Sequence, residues 1–373
     1  MKQFWNTKGK TWLWIALIGL GLHYGMLIIA SVMLSHTFSL EAIGDLLLRR
    51  WTEPGDATRY LDIARNGYVA EGENAINLVF YPLYPLLMRW LGAVFPLPVA
   101  GMILSQGSYA AASVLLYELI LLDGDSRAAW TGVLLLALYP FSMFVMGVFT
   151  EGLFLLLTVG CLYALRRRRF ALGGCVGFLA ALTRTQGMLL IFPAVYEWVS
   201  LRMGKEKRRF RWTDLCVLLI PAGFGVYLLI NYRLHGNFTQ FLIYEAEAPW
   251  YQSAQWIGVN IAQQYGMAKD YAGLDWIIYW PQLILYFAAL GTLFLGLIRK
   301  ERTSLLLYGG AYLGMTYLSG WMISGGRYML CCAPLFVILA KIKSEGARRL
   351  ILMIFAMLFF AYSYFYLAGY AIM

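Results

Sequence analysis

Residues 12–34 read WLWIALIGLGLHYGMLIIASVML, a run with no Asp, Glu, Lys or Arg. An apolar run of this length matches the roughly 20 residues that an α-helix needs to cross a hydrocarbon core about 30 Å thick. Lys2, Lys8 and Lys10 precede it, and no small-residue cleavage site closes it. We therefore predict a retained first span with a cytoplasmic N-terminus rather than a removed signal peptide.

The whole chain shares the apolar character of this run. Of 373 residues, 61% are hydrophobic and 13% are charged, about half the charged share of a soluble domain. This composition excludes the soluble enzyme classes. The net charge of +10 comes from short basic runs between apolar segments, which is the orientation signal of a membrane protein and not a nucleic-acid-binding surface. All five cysteines lie inside apolar stretches, so neither a disulfide nor a zinc site is predicted.

Apolar windows bounded by glycine, proline or charged residues recur along the chain. They predict an all-α polytopic membrane protein with about 11 transmembrane helices, which form a single domain over residues 1–373. The windows are 12–34, 98–122, 129–148, 150–165, 170–183, 187–201, 213–231, 276–298, 303–323, 327–341 and 350–371.

The stretch 170–201 stands between two strongly basic segments, 166–169 and 202–211. Both flanks should be cytoplasmic, so the chain between them must enter the membrane and return, as two short helices or a re-entrant pair. Residues 183–187 would form the turn. Non-helical backbone at that depth needs protein or water around it.

With the N-terminus inside, the predicted cytoplasmic segments hold 21 of the 30 lysines and arginines. These segments are 1–11, 123–128, 166–169, 202–212, 299–302 and 341–349. Two large loops, 35–97 and 232–275, then lie outside, with short outer turns at 149–151 and 324–327. The outer segments hold 12 of the 20 acidic residues, so we expect the functional site on that face.

The first outer loop carries the densest group of acidic, basic and aromatic residues. A Pro-Gly pair precedes Asp56 and Gly67 follows it, which predicts a short juxtamembrane helix between the glycines. Asp56 is then either a helix cap or a general base that removes a proton from an attacking hydroxyl group. Arg59 and Asp62 are candidate substrate-binding residues of the same helix. Arg59 would weaken Asp56 as a base if the two paired, whereas Asp62 lies off that helix face.

The segment from Phe80 to Trp90 is apolar but interrupted by prolines and too short for a span. It predicts a second juxtamembrane helix that lies on the membrane surface. Tyr81, Tyr84 and Trp90 would either anchor this helix at the level of the headgroups or line a groove for a lipid substrate.

Several blocks of the sequence together resemble a known family. They are DATRYLDIARNGY at 56–68, FYPLYPLL at 80–87, YPFS at 139–142, FTEGLF at 149–154, LTRTQG at 182–187, and Gly326-Arg327-Tyr328 followed by Pro334-Leu335-Phe336. In type and order these blocks resemble the phosphatidylinositol-glycan class V (PIG-V) mannosyltransferases and their bacterial relatives. The sequence departs from that pattern at two places: Gly55 stands where a tryptophan usually precedes the aspartate, and Thr58-Arg59 replaces a more apolar pair.

The resemblance implies a GT-C glycosyltransferase fold with its active site on the extracytoplasmic face. Members of that fold use polyprenyl-phosphate sugars, usually invert the anomeric centre, and take an acid of the first outer loop as base, which here is Asp56. The resemblance also implies that the sugar is mannose, that Tyr60 and Tyr328 contact substrate, and that the acceptor is a glycolipid, glycan or protein. The short chain favours a bacterial plasma membrane.

The departing phosphate of such a donor gains charge, and the planar fork of an arginine suits it. Arg184, at the predicted turn, either binds this phosphate or pairs with Glu151. Arg327 either meets a lipid headgroup or extends to the membrane interface. Glu151 either stabilises the N-terminus of a span or contacts sugar hydroxyl groups. Because arginines can replace a metal at a leaving phosphate, and the outer loops contain no Asp-X-Asp pair, we expect no metal and no other cofactor.

The second outer loop combines aromatic residues with acids, which is typical both of sugar-binding surfaces and of interface anchors. These residues are His235, Glu245, Glu247, Trp250, Tyr251 and Trp256, and Asn231 directly precedes the loop. His235 is a candidate second acid/base or donor ligand, although a single histidine in a loop more often is neither.

The sequence therefore predicts a glycosyltransferase that meets membrane lipids, a polyprenyl-phosphate sugar donor and an extracytoplasmic acceptor, and that binds no nucleic acid. The main alternative is a membrane transporter or lipid flippase, which also uses broken helices and buried arginines. That alternative predicts charges across the membrane midplane, whereas the candidate residues here collect on one face. A non-catalytic assembly subunit is a third hypothesis, and it would tolerate loss of Asp56.

Overall fold

The computed structural model describes residues 2–53, 55–203, 210–270, 276–320, 322, 324–370 and 372. Within these ranges the chain is helical, with no β-strand and one isolated bridge between Ala254 and Ser319. The predicted all-α class is confirmed. Helices are numbered α1 to α17 in chain order.

Among the described residues, five segments are long and apolar enough to cross a membrane. They are Lys8–Ser35 in α1 (Lys2–Ser35), α5 (Leu97–Ile120), Trp212–His235, which ends in α10 (Leu219–His235), Ile277–Ile298 in α13 (Trp276–Ile298), and α17 (Glu345–Leu367). Each coincides with a predicted span. The chain is therefore an integral membrane protein, and the larger number of spans stays a prediction.

The other predicted spans contain shorter helices that pack between the long ones. They are α6 (Ser126–Ala137), α7 (Glu151–Arg166), α8 (Phe170–Ala181), α9 (Ile191–Met203), α14 (Thr303–Tyr317), α15 (Gly325–Leu330) and α16 (Ala333–Ala340). A continuous span over 129–148 was predicted wrongly, because α6 ends at Ala137. Pro140 accounts for the break, since proline has no N–H for a helical hydrogen bond and disfavours a helical residue before it.

Short helices occupy both large loops, as predicted for the first. They are α2 (Leu40–Thr52), α3 (Asp56–Asn66) and α4 (Leu83–Leu91) in the first loop, and α11 (Gln240–Ala246) and α12 (Ile257–Asp270) in the second. Helix α3 begins after Gly55 and ends before Gly67, whose φ angles of 50° and 77° favour glycine. The chain therefore turns sharply at both ends of the helix that carries Asp56.

Charged side chains pair at both ends of the helix bundle. At one end, ion pairs join segments that were predicted to be cytoplasmic or next to the cytoplasm: Arg166–Asp123 at 2.7 Å, Arg302–Glu197 at 2.7 Å and Lys341–Glu301 at 2.6 Å. Helix α7 begins at Glu151 and ends at Arg166, so these two residues lie about 22 Å apart along its axis. The charged residues around Glu151 therefore belong to the opposite end.

Candidate active site

Asp56 is the first residue of α3, but its carboxylate does not cap the helix. Gly55 occupies the N-cap position, and no side chain makes a capping hydrogen bond there. Instead, Asp56 Oδ2 lies 2.8 Å from Arg327 Nη1, and 30% of the Asp56 side chain is exposed. The interpretation of Asp56 as a helix cap is therefore wrong. An arginine holds one side of the carboxylate, and the residue lines a cavity.

Arg327 lies in α15 and is almost fully buried, so it does not extend to the membrane interface. Its Nε and Nη2 atoms both lie 2.9 Å from Glu151 Oε1. The rings of Phe144 and Phe149 lie 4.5 Å and 5.0 Å from the guanidinium carbon. Ion pairs and aromatic contacts therefore hold this guanidinium group between the carboxylates of Asp56 and Glu151.

Glu151 begins α7, as predicted, and its side chain is fully buried. Besides Arg327, it pairs with Arg184, whose Nη2 lies 3.3 Å from Glu151 Oε1. Glu151 Oε2 has no hydrogen-bond partner among the described residues. Two carboxylates and two guanidinium groups thus form one chain of contacts in the order Asp56, Arg327, Glu151, Arg184. We call these four residues the ion-paired cluster.

Arg184 lies between α8 and the 3₁₀ helix Thr185–Leu190, where the chain was predicted to turn. A Cβ atom on Gly187 would lie 2.3 Å from the backbone of Ala180, so this close approach requires glycine. The guanidinium carbon of Arg184 lies 4.8 Å from the centre of the Tyr328 ring. The predicted pairing of Arg184 with Glu151 is confirmed. Phosphate binding stays a prediction, and Arg184 is positioned for it because it lines the cavity.

Arg59 does not pair with Asp56. Its Nη1 donates a hydrogen bond to Asn77 Oδ1 at 3.1 Å, and Asn77 Nδ2 donates to Asp62 Oδ2 at 2.8 Å. Arg59 lines the cavity, whereas Asp62 does not. Sequence reasoning missed Asn77, because an asparagine in an irregular loop gives no signal until folding places it between two charged side chains.

Three tyrosines of the first outer loop are buried, so Tyr81 and Tyr84 do not anchor the loop at the headgroups as one interpretation predicted. Tyr60 and Tyr81 line the cavity, and the Tyr81 hydroxyl lies 2.8 Å from Thr185 Oγ1. Tyr84 lies deeper, with its hydroxyl bonded inside the bundle. Burial raises the pKa of the Tyr60 phenol above its ordinary value, so this group stays neutral. The anchoring interpretation remains suitable for Trp90, which is 65% exposed.

Three residues of the ion-paired cluster, Asp56, Arg184 and Arg327, line a cavity of about 350 Å³, whereas the buried Glu151 does not line it. Its wall combines the start of α3, residues 79–81, the turn at 183–186, the start of α15 and part of the second outer loop. The predicted site residues that line it are Asp56, Arg59, Tyr60, Tyr81, Arg184, Arg327 and Tyr328. Folding therefore brings together residues from motifs that are far apart in the sequence, around a space that suits a small ligand or the headgroup of a larger one.

The second outer loop closes one side of the cavity with Glu245, Trp250 and Gln252. Burial raises the pKa of Glu245 to about 7. Glu247, two positions further on, is exposed and does not line the cavity. His235 lies in the last turn of α10 and does not line the cavity either, so its predicted role gains no support from its position.

Three guanidinium groups, those of Arg59, Arg184 and Arg327, line the cavity. Guanidinium groups bind phosphate and carboxylate oxygens through parallel hydrogen bonds, so the cavity suits an anionic group. Within the described part of the chain, no group of three or more His, Cys, Asp or Glu side chains is placed to hold a metal ion.

The fold and the site together define an all-helical integral membrane protein with an arginine-lined cavity at one end of its bundle. The chain matches no protein-family model. Part of it is similar to the GPI alpha-1,6-mannosyltransferase 2 of Cricetulus griseus, with 30% identity over 158 residues that cover 39% of this chain and 30% of that protein. The Mus musculus protein of the same name is 31% identical over 156 residues, which cover 38% and 30%. The Rattus norvegicus protein is 28% identical over 157 residues, which cover 39% and 30%.

The similarity thus spans about 30% of the length of these relatives. Among solved structures, the apo Archaeoglobus fulgidus oligosaccharyltransferase aligns with a TM-score of 0.43 and 12% identity, and the alignment covers 92% of this chain and 56% of that one. A likeness this distant carries no argument about fold or function.

Proposed function

We propose that the protein is a GT-C glycosyltransferase that moves mannose from a polyprenyl-phosphate donor to an extracytoplasmic glycolipid, glycan or protein, with inversion. One observation carries the proposal: a partly exposed carboxylate and three guanidinium groups face the same small cavity in a membrane protein. The partial similarity to GPI alpha-1,6-mannosyltransferases supports sugar transfer, and mannose in particular.

In the proposed reaction, the acceptor hydroxyl oxygen attacks the anomeric carbon while its proton moves to the Asp56 oxygen that Arg327 does not bind. The bond between the anomeric carbon and the phosphate oxygen breaks. Its electron pair stays on the phosphate, which gains one negative charge. Arg184 and Arg327 stabilise this charge, and Glu151 keeps both guanidinium groups in place beforehand, so little reorganisation is needed during the reaction.

We further propose that the cavity opens on the extracytoplasmic side of a bacterial plasma membrane, within a bundle of about 11 spans. The charge distribution supports this orientation, since the basic segments and their ion pairs collect at the other end of the bundle. The proposal requires no metal cofactor, because guanidinium groups supply the positive charge that the leaving phosphate needs.

Transfer of labelled mannose tests the role of Asp56. Purified protein in lipid nanodiscs is given labelled polyprenyl-phosphate-mannose and extracted lipids, and the wild type is compared with Asp56→Asn. Loss of a general base is expected to lower kcat roughly 10²–10⁴-fold with little change in the KM for the donor. Asp45→Asn is the matched control, since Asp45 is an exposed acid of the same loop outside the cavity. Equal transfer by Asp56→Asn and the wild type would remove Asp56 from the mechanism.

Measuring the affinity for the donor distinguishes the two possible roles of Arg184, which are pairing with Glu151 and binding the donor phosphate. If Arg184 only neutralises Glu151, Arg184→Gln lowers stability but leaves the dissociation constant of the donor unchanged. If Arg184 holds the phosphate, as we propose, donor affinity falls about tenfold or more. A wild-type protein that binds the donor and moves it between leaflets without transferring the sugar would support the flippase alternative instead.

A further inference from the structure

The cavity lining combines two chemically different sets of residues. One set is Arg59, Arg184 and Arg327, whose guanidinium groups suit a phosphate. The other set comes from the second outer loop and consists of Glu245, Trp250 and Gln252. The Trp250 ring packs edge-on against Phe80 at 6.0 Å, so the two outer loops are in contact at this point.

Glu245 is an acidic residue of the second outer loop, and it lines the cavity. Among the described residues it makes no ion pair or hydrogen bond, although it is half-buried and its pKa is raised by burial to about 7. Glu245 lines the cavity, so a ligand bound there can supply the hydrogen-bond donors that the protein does not. The ionisable groups that interact with it are Tyr81, Tyr227 and Tyr328. The elements packed against α11 carry Glu73, on the 3₁₀ helix Glu73–Val79, and His235, on α10. The cavity lining adds Asp56, Arg59, Arg184 and Arg327.

The ligand group that meets Glu245 is not the phosphate. Two negative charges in one small cavity repel each other, whereas an ionised carboxylate accepts strong hydrogen bonds from hydroxyl groups. In a sugar phosphate, the hydroxyl-bearing ring lies directly next to the phosphate. Arg184 and Glu245 line the same cavity of about 350 Å³, so a phosphate at Arg184 places the attached ring within reach of the second outer loop.

We propose that Glu245 and Trp250 bind the sugar ring of the donor, with the Glu245 carboxylate accepting hydrogen bonds from ring hydroxyl groups and the indole covering an apolar face. The group bound is a neutral hexose attached to a lipid phosphate. This inference rests on the proposed function and deepens it, because it assigns the sugar-binding half of the cavity to the second outer loop. Glu245 is a positioning and specificity residue and takes no part in bond breaking.

The test compares two lipids that differ only at the sugar position. The protein in nanodiscs is titrated at pH 8 with polyprenyl-phosphate-mannose and with polyprenyl methyl phosphate, the same diester with a methyl group in place of the sugar. We expect the wild type to prefer the mannose diester by about tenfold or more, the value of one hydrogen bond to a charged group. Glu245→Gln should lose most of this preference without weakening binding of the methyl diester.

Glu247→Gln is the matched control, because Glu247 is an exposed glutamate of the same loop that does not line the cavity. It should keep the wild-type preference. Retention of the preference in Glu245→Gln would overturn the inference, and so would a wild type that binds both diesters equally. A wild type that prefers the mannose diester through Glu245 but transfers no sugar would instead overturn the proposed function. Binding of the methyl diester shows in each case that the variant is folded.

Discussion

Glu151→Gln is expected to destabilise the protein far more than a change at Asp56, although both carboxylates bind Arg327. Glu151 is fully buried and takes contacts from Arg327 at 2.9 Å and from Arg184 at 3.3 Å. A glutamine at this position keeps the shape but removes the charge. The guanidinium groups, whose side chains are 8% and 12% exposed, then lose the carboxylate that joins them.

The burial of each ion pair determines how much its loss lowers the free energy of unfolding. Removing one partner of a buried ion pair costs about 3–5 kcal/mol, because the remaining charge stays out of water without compensation. The Asp56 side chain is 30% exposed, so its pair with Arg327 resembles a surface pair and contributes about 1 kcal/mol. We therefore expect the free energy of unfolding to fall by about 3–5 kcal/mol in Glu151→Gln and by about 1 kcal/mol in Asp56→Asn.

Unfolding by denaturant in mixed micelles, followed by tryptophan fluorescence, gives the free energy for each variant. The double variant Glu151→Gln/Arg184→Gln adds a second measurement, since it also removes one of the two arginines that Glu151→Gln leaves without this carboxylate. It should be less destabilised than the sum of its single changes. A loss in Glu151→Gln no larger than that in Asp56→Asn would refute the reasoning that burial controls the strength of this cluster.

Three further predictions concern the cavity, the turn and the orientation. Because the pKa of Glu245 is about 7, the ionised fraction of this carboxyl rises from about a tenth at pH 6 to about nine tenths at pH 8. The preference of the wild type for the mannose diester should therefore increase over this range. In Glu245→Gln the preference should not change with pH. Gly187→Ala should lower the free energy of unfolding by about 1–3 kcal/mol in the same assay, because the added methyl group would overlap the backbone of Ala180. Gly225→Ala is the control, since a methyl group there meets open space, and it should not lower the free energy of unfolding. In a cysteine-free background, a membrane-impermeant maleimide should label Ala70→Cys in intact cells and Ser344→Cys only after lysis. Both positions are exposed, in loops predicted to lie on opposite sides of the membrane. Labelling in the reverse pattern would contradict the proposed orientation.

Local properties of the chain could be predicted from the sequence. The thickness of the bilayer sets the length of an apolar helix, so the windows over 12–34 and 350–371 were sufficient to locate α1 and α17. Glycines on both sides of residues 56–66 were sufficient to predict the bounds of α3, because glycine tolerates the positive φ angles that stop a helix. The continuous span over 129–148 was predicted wrongly, because the prediction used the average hydropathy of the window and did not account for the effect of Pro140 on the backbone.

Only the tertiary structure determined which charged side chains pair across the helix bundle. Sequence spacing offered Arg59 as the neighbour of Asp56, because residues three apart on a helix are close, but packing brought Arg327 to Asp56 and left Arg59 bound to Asn77. Likewise, nothing in the sequence distinguished Glu245 from Glu247 until the second outer loop folded against the first. Helix length and turns depend on neighbouring residues and the solvent, and are therefore encoded locally. The contacts of a charge in a membrane bundle depend on which helices lie beside it, and only the packed structure determines that.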